Sequence, residues 1–302
     1  MSKVLVTGGA GFIGSNLVKE LVNANDEVTI IDNLSTGKKE NIHPRAKFVK
    51  ADITDFEQIK PHFKGMDFVF HMAALPRVPY SIDHPVETHN ININGTLNVL
   101  LAAKEAKVRR LVYSASSSAY GNSERLPLKE DQLPQPMSPY GLHKYVGEHY
   151  AKLFFLFYGL ETVSLRYFNV YGPNMAFSGA YCLVIAVFLK QKKEGQPLTI
   201  TGDGTQTRDF TFVFDVVRAN ILAAKSDKVG KGEVINIGAG HNHSVNEVAK
   251  IIGGPTVNIA PRVEPHDTLA DNTLAKKLLD WQPEVDFNEG MKRTIEWFEK
   301  LR

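Results

Sequence analysis

Apolar and polar positions follow two different periods along the first half of the chain. Lys3-Val4-Leu5-Val6-Thr7 is a short, nearly continuous apolar run and predicts a buried strand. Phe12, Ile13, Leu17, Val18 and Leu21 then recur at three- and four-residue spacings, which predicts a helix over 12–23. Further strands are expected at 27–31, 47–50, 67–71, 110–114 and 162–167, with helices at 55–63, 88–106 and 139–158. Alternation of strand and helix, with strands apolar on both faces, predicts a parallel sheet covered by helices on both sides.

After Tyr167 the turn signals crowd together, at Tyr171-Gly172-Pro173-Asn174, Gly195-Gln196-Pro197, Gly202-Asp203-Gly204 and Gly253-Gly254-Pro255. Helical patterns remain at 180–193, 213–224, 245–252 and 287–301. The division expected is a first domain over 1–168 and a smaller α/β lobe over 169–302, with segments of the later chain free to return to the first domain. Composition adds exclusions. At 43% apolar and 23% charged residues, the 302-residue chain is neither disordered nor collagen-like. Thirty-five basic against 33 acidic side chains give no argument for a nucleic-acid or membrane partner. The single cysteine, Cys182, cannot form an internal disulfide and fits a reducing compartment. The apolar run 180–189 is shorter than the about 20 residues that a spanning helix needs. The chain enters a glycine-rich turn at once, which predicts no secretory leader, so a cytoplasmic location is expected.

That turn carries the first candidate chemistry. Glycines at 8, 11 and 14 join the first strand to the first helix in a GxxGxxG spacing. Gly8 permits the tight turn, Gly11 lets a diphosphate approach the backbone, and Gly14 lets helix and strand pack closely. Anions are favoured there by the free N–H groups of the helix start. Asp32 ends the second strand 18 residues after Gly14, where an acidic side chain is expected on the adenosine ribose. Its charge repels the 2′-phosphate of NADP and suits the diol of NAD. Lys38 and Lys39 are read as solvated loop residues.

The second constellation is Tyr140 and Lys144, at i and i+4 on the helix that opens with Pro139. Both project from one face. A phenol is a poor base near neutral pH, and a neighbouring ammonium and a cationic nicotinamide are expected to lower its pKa. Ser114-Ala115-Ser116-Ser117-Ser118 ends the fifth strand, the place where ligands of open parallel sheets bind.

Glycine spacing, serine-rich strand end and YxxxK together resemble the extended short-chain dehydrogenase/reductase family, and within it the nucleotide-sugar epimerases, over essentially the whole chain. Further matches are Asp32-Asn33-Leu34-Ser35-Thr36-Gly37, Asp52-Ile53, His71-Met72-Ala73-Ala74, Asn94-Gly95-Thr96, Arg166 to Pro173, Gly202-Asp203-Gly204 with Arg208-Asp209-Phe210, and Leu269-Ala270-Asp271. The resemblance implies a Rossmann-type doubly wound sheet with a C-terminal α/β substrate lobe, NAD as cofactor, a UDP-sugar as substrate and a homodimer. It implies that Ser116, Tyr140 and Lys144 are catalytic. It places NAD on Gly8, Gly11, Phe12, Ile13, Gly14, Asp32, Asn33, Ser35, Thr36, Gly37, Asp52, Ile53, Met72, Ala73, Ala74, Tyr140, Lys144 and Phe168. The substrate falls to Ser116, Ser117, Ser118, Tyr140, Asn169, Thr201, Arg208, Arg262 and Thr268, with arginines suited to a diphosphate.

Members that eliminate water carry an acid just after the strand-end serine or threonine. Ser116-Ser117-Ser118-Ala119-Tyr120-Gly121 carries none, so 4-epimerisation is expected. Val78-Pro79-Tyr80-Ser81-Ile82, Gly179-Ala180-Tyr181 and the small Thr268 resemble epimerases acting on UDP-N-acetylhexosamines. UDP-GlcNAc/UDP-GalNAc is the substrate expected, with UDP-glucose/UDP-galactose and UDP-uronic acids as alternatives and an NAD-binding sensor or scaffold as the non-enzymatic one. Such a scaffold would be expected to lose Tyr140 or Lys144. Departures from the family pattern are Pro76-Arg77, a segment one residue short at Arg262-Val263-Glu264-Pro265, and Phe214. Ten histidines form no HExxH or Cys/His cluster, and His241-Asn242-His243 reads as a loop, so no metal is expected. Lysines 190, 192 and 193 and the basic run 107–110 read as solvated helix ends. Phe154, Phe155, Phe157 and Tyr158 exceed what one core face needs; with the 88–106 helix they are expected to form a dimer surface.

Overall fold

The computed structural model describes residues 1–76, 78–123, 125–177, 183–261 and 265–301. The first half contains β1 (Lys3–Thr7), α1 (Phe12–Asn23), β2 (Glu27–Asp32), β3 (Lys47–Lys50), α2 (Phe56–Ile59), β4 (Phe68–His71), α3 (Val78–Asp83), α4 (Pro85–His89), α5 (Gly95–Glu105) and β5 (Arg110–Ser116). Next come α6 (Pro139–Tyr158), β6 (Glu161–Tyr167), α7 (Val184–Lys193), β7 (Leu198–Thr201), β8 (Thr207–Asp209) and α8 (Val213–Lys225). The chain finishes with β9 (Lys231–Ile237), β10 (Asn242–Ser244), α9 (Val245–Ile252), β11 (Thr256–Ile259), α10 (Thr273–Leu279) and α11 (Phe287–Glu299).

Seven strands form one parallel sheet in the order β3-β2-β1-β4-β5-β6-β9. The order reverses between β1 and β4, the switch point where a crevice opens beyond the strand ends. Side-chain alternation explains the two faces. Val4, Val6, Val28 and Ile30 pack with α1, α8 and Trp281, while Leu5, Ile31 and Val69 pack with α5 and Phe154 of α6. A third core of Tyr171, Ile185, Phe188, Phe210, Phe212, Val248 and Met291 supports the smaller lobe, where β7 pairs with β11 and β8 with β10.

The doubly wound α/β expectation is met, and the later chain adds β9, α8 and α10 to the seven-stranded sheet and its cover. Several details differ from the sequence reading. The helix expected over 88–106 is interrupted: Asn90–Asn94 forms a wider, π-helical turn between α4 and α5. The helix expected from 180 is described from Val184, and residues 178–182, with Cys182, lie outside the described residues. Arg110 is not solvated. It is 2% exposed, pairs with Glu161 at 2.7 Å and donates to the carbonyls of Ala223, Ala224 and Ser226 at the end of α8. A cation there satisfies carbonyls left without intrahelical partners and opposes the helix dipole.

Candidate active site

The cradle at the switch point is set by backbone closeness. Gly8 takes φ +70°, and a Cβ on it would lie 2.7 Å from the Ala73 amide nitrogen. A Cβ on Gly14 would lie 2.1 Å from the Gly8 carbonyl oxygen, so neither position admits a side chain. Gly11 caps α1 without a side chain, leaving the N–H groups of Phe12, Ile13 and Gly14 with no side-chain cap. Such a helix start fits a dinucleotide diphosphate.

Asp32 sits beside this cradle, 8% exposed, accepting from Ala10 N at 3.0 Å and Leu34 N at 2.8 Å. Each oxygen of a carboxylate has a second acceptor site, so two remain for a ribose diol. Asn33 donates to Asp52 at 2.7 Å and accepts from Ser35 N, which folds the 33–37 loop over the same edge. Asp52 is partly desolvated, yet bonds from Thr54 and Asn33 hold its carboxyl below the usual range. Ile53 is buried against Gly95 of α5. Thr36 and Gly37 complete the loop, Gly37 lying where a Cβ would meet the Asp32 carboxylate at 2.8 Å.

On the other side, β4 leads into Met72, Ala73 and Ala74. Ala73 N donates to Thr7 Oγ1 at 3.3 Å, and Met72 Sδ accepts from the Tyr167 hydroxyl at 3.7 Å. His71 joins Thr7 at 2.7 Å to Thr96 at 2.9 Å, and Thr96 donates to Asn92 O at 2.7 Å. Because the Thr96 proton is committed to that carbonyl, the geometry assigns the His71 proton to Nε2. Burial, with the charge of Lys144, lowers His71 to about 3, so the ring is neutral. Asn92, on the wide turn, both accepts from Leu75 N and donates to Leu75 O.

β5 runs two residues further than expected and carries Ser114 and Ser116 to its end. Ser116 Oγ donates to Ser118 Oγ at 3.0 Å and accepts from Ser118 N at 3.2 Å. Ser117 follows in the short helical turn. Ser138 caps α6, accepting from Gly141 N, and the first two turns of the helix present Tyr140 and Lys144. The chain's own electrostatics oppose the expectation of an acidic phenol. Burial pushes Tyr140 up to about 12, with the nearby Ser116 hydroxyl pulling the other way. Burial lowers Lys144 to about 7 against the field of Glu148, and its Nζ donates to Ser114 O at 2.7 Å.

In the smaller lobe, Asn169 donates to Asp209 O at 3.1 Å and Thr268 Oγ1 at 3.3 Å, and Thr268 also accepts from Asp209 N. Arg208 donates to Thr207 O and His266 O. Thr201 ends β7, and its carbonyl accepts from Gln206. The Phe168 ring is fully enclosed with Tyr120, Leu128 and Ala270. Arg262 and Arg77 lie outside the described residues. Three groups escaped the sequence reading. Asp209 accepts from Ala239, Gly240 and Ala270, tying two separate segments to β8. Ser81 and Asn92 hold the loop after β4, and the alternating Asn90, Asn92 and Asn94 were the available signal for the latter. A cleft of about 530 Å³ behind α6, lined by Tyr145, Glu148, His149 and Arg166, holds none of the expected site residues. Among the described residues there is no group of three or more potential metal ligands, and no helix is long and apolar enough to cross a membrane.

A glycine cradle at the reversal of a doubly wound sheet, with an acid at the end of the neighbouring strand, defines a dinucleotide-dependent protein of the Rossmann class. The model of the NAD dependent epimerase/dehydratase family matches residues 4–238. A putative UDP-glucose 4-epimerase of Methanocaldococcus jannaschii is 43% identical over 97% of each chain. A crystal structure of UDP-glucose 4-epimerase from Thermotoga maritima with UDP-glucose superposes with TM-score 0.94 at 39% identity, covering 99% of each chain. A UDP-N-acetylglucosamine 4-epimerase from Methanobrevibacter ruminantium, in complex with UDP-N-acetylmuramic acid, also reaches 0.94, at 36% identity over 100% of this chain and 99% of that one. The chain belongs to the NAD-dependent epimerase/dehydratase family, and its cofactor is NAD.

Proposed function

We propose that this chain is a UDP-sugar 4-epimerase whose preferred pair is UDP-GlcNAc/UDP-GalNAc, with UDP-glucose/UDP-galactose also accepted. The observation carrying the reaction type is the convergence of Ser116, Tyr140 and Lys144 at the sheet's C-terminal edge, with no carboxylate in the Ser116–Ala119 turn. The acetamido preference is supported by the small size of Thr268, whose hydroxyl is held beside Asn169 and Asp209.

In this reading Tyr140 takes the proton of the sugar 4-hydroxyl and later returns it, while Ser116, backed by Ser118, holds O4. NAD, which the glycine cradle at 8–14 and Asp32 would hold, would supply the hydride acceptor and donor for C4 and the nicotinamide charge that the chain does not itself place beside Tyr140. Lys144 holds the nicotinamide ribose. Asn169, Arg208 and Arg262 hold the diphosphate while the 4-keto sugar turns over. Incubation with a panel of UDP-sugars, with product stereochemistry read by NMR, tests this. C4 inversion of UDP-GlcNAc supports the reading, inversion of UDP-glucose or a UDP-uronic acid alone replaces its substrate, and no inversion at all removes it.

The same reading includes a cytoplasmic homodimer. Leu142, Leu153, Leu156 and Phe157 are exposed at helical spacing on α6, the last two at 66% and 70%. Light scattering is expected to report a dimer that Phe157→Glu dissociates.

A further inference from the structure

The first turn of α6 leaves one donor that its own sequence does not satisfy. The opening N–H groups of a helix have no intrahelical acceptor. Pro139 has no N–H, and Gly141 N donates to the Ser138 side chain at 3.1 Å. Leu142 N reaches Ser138 O at 3.0 Å. The remaining N–H is that of Tyr140, which donates at 3.0 Å to Ser81 Oγ, 59 residues away on α3. Ser81 is fully buried, and its own proton goes to Val78 O at 2.6 Å. The hydroxyl is therefore fixed in direction, with its lone pair facing Tyr140 N.

The segment that carries Ser81 starts at the cofactor cradle. Met72 N and Ala73 N bond Thr7, where Ala73 stands against Gly8. Leu75 is clamped through both backbone groups by Asn92. α3 then begins at Val78 and reaches Ser81 within one turn. Thus the segment fastened at 72–75 and the α3 helix, both following β4 in the chain, meet α6 where Ser81 takes the backbone N–H of Tyr140.

We propose that Ser81 is a positioning residue for Tyr140: by accepting from its backbone N–H it registers the first turn of α6 against the loop that follows β4, and so aims the phenol at the reacting oxygen. This rests on the epimerase reading above. It assigns Ser81 no contact with sugar or cofactor. A misplacement of 1 Å costs up to about 10²-fold in rate, and loss of one anchoring bond is expected to cost about tenfold.

The test compares Ser81→Ala, Ser81→Cys and Asp286→Ala in the NAD-loaded protein. Asp286 caps α11 in the other lobe, accepting from Asn288 N and Glu289 N, and serves as a cap loss remote from the site. In Ser81→Ala, kcat should fall about tenfold with KM within about twofold of wild type and NAD content unchanged. Ser81→Cys, which puts a weak acceptor in the same volume, should fall between the two and covers the case in which alanine fails to fold. Asp286→Ala should lose comparable urea stability at unchanged kcat. Wild-type kcat in Ser81→Ala, or a loss that merely tracks stability in all three, overturns the positioning role. If wild type inverts no UDP-sugar, the functional reading falls and this role with it.

Discussion

Lys144 donates to the carbonyl oxygen of Ser114 at 2.7 Å, so the ammonium on α6 is tied to the sheet and not to the phenol four residues before it. Tyr140 and Lys144 share a helix face, yet burial moves their pKa values apart, to about 12 and about 7. Helical spacing brings the two groups together without by itself making the phenol acidic.

Tyr140→Phe removes the hydroxyl and keeps the ring. Epimerisation should fall by at least ~10²-fold, the lower range for general acid–base catalysis, while NAD stays bound. Coupled NMR turnover and cofactor release on denaturation check both halves. An active phenylalanine variant would remove Tyr140 from the proton path.

Lys144 gives a pH signature in cofactor-free protein. Its folded value of about 7 lies below the unfolded 10.5, so between these limits the unfolded chain binds the extra proton. Stability therefore rises with pH across that window, by up to about 1.4 kcal/mol per pH unit for one proton, and below pH 7 this gain is absent. Lys144→Met should lose that slope. Urea midpoints of the two proteins from pH 6 to 10 measure it, and parallel curves would count against a buried, depressed lysine.

Asp209 concentrates three backbone donors on one buried carboxyl, which burial nevertheless pushes up to about 6. Asp209→Asn keeps one acceptor oxygen and turns an NH2 toward another donor. Each buried N–H left unpaired costs about 1–3 kcal/mol, so urea stability should fall by at least that. KM for the UDP-sugar should rise, since the 239–240 and 268–270 segments lose their common anchor; an unchanged KM would separate Asp209 from the pocket.

Thr268 tests the sugar preference. Overpacking typically costs ~1–3 kcal/mol, roughly 5- to 150-fold, so Thr268→Tyr should suppress UDP-GlcNAc turnover in that range beyond the loss in Thr268→Val, and cost UDP-glucose no more than valine does. The hydroxyl also accepts from Asp209 N and Asn169, so Thr268→Val is the companion variant. It removes those bonds at similar size and should lower both sugars equally. Equal loss on both sugars in the tyrosine variant would take Thr268 away from the 2-substituent.

Local spacing carried what was legible in the sequence. Gly8, Gly11 and Gly14 lie between a strand and a helix, Asp32 ends the next strand, and Tyr140 and Lys144 are one helical turn apart, so period and turn chemistry alone locate them. The tertiary structure decided the rest, because its partners lie far apart in the chain and leave no period to read. β9 joins the sheet beside β6 only after an intervening lobe, and Arg110 finds the end of α8 113 residues away. Asp209 gathers loops 30 and 61 residues distant. Ser81 meets Tyr140 across 59 residues, since a buried helix start must take its missing acceptor from whatever segment packs against it.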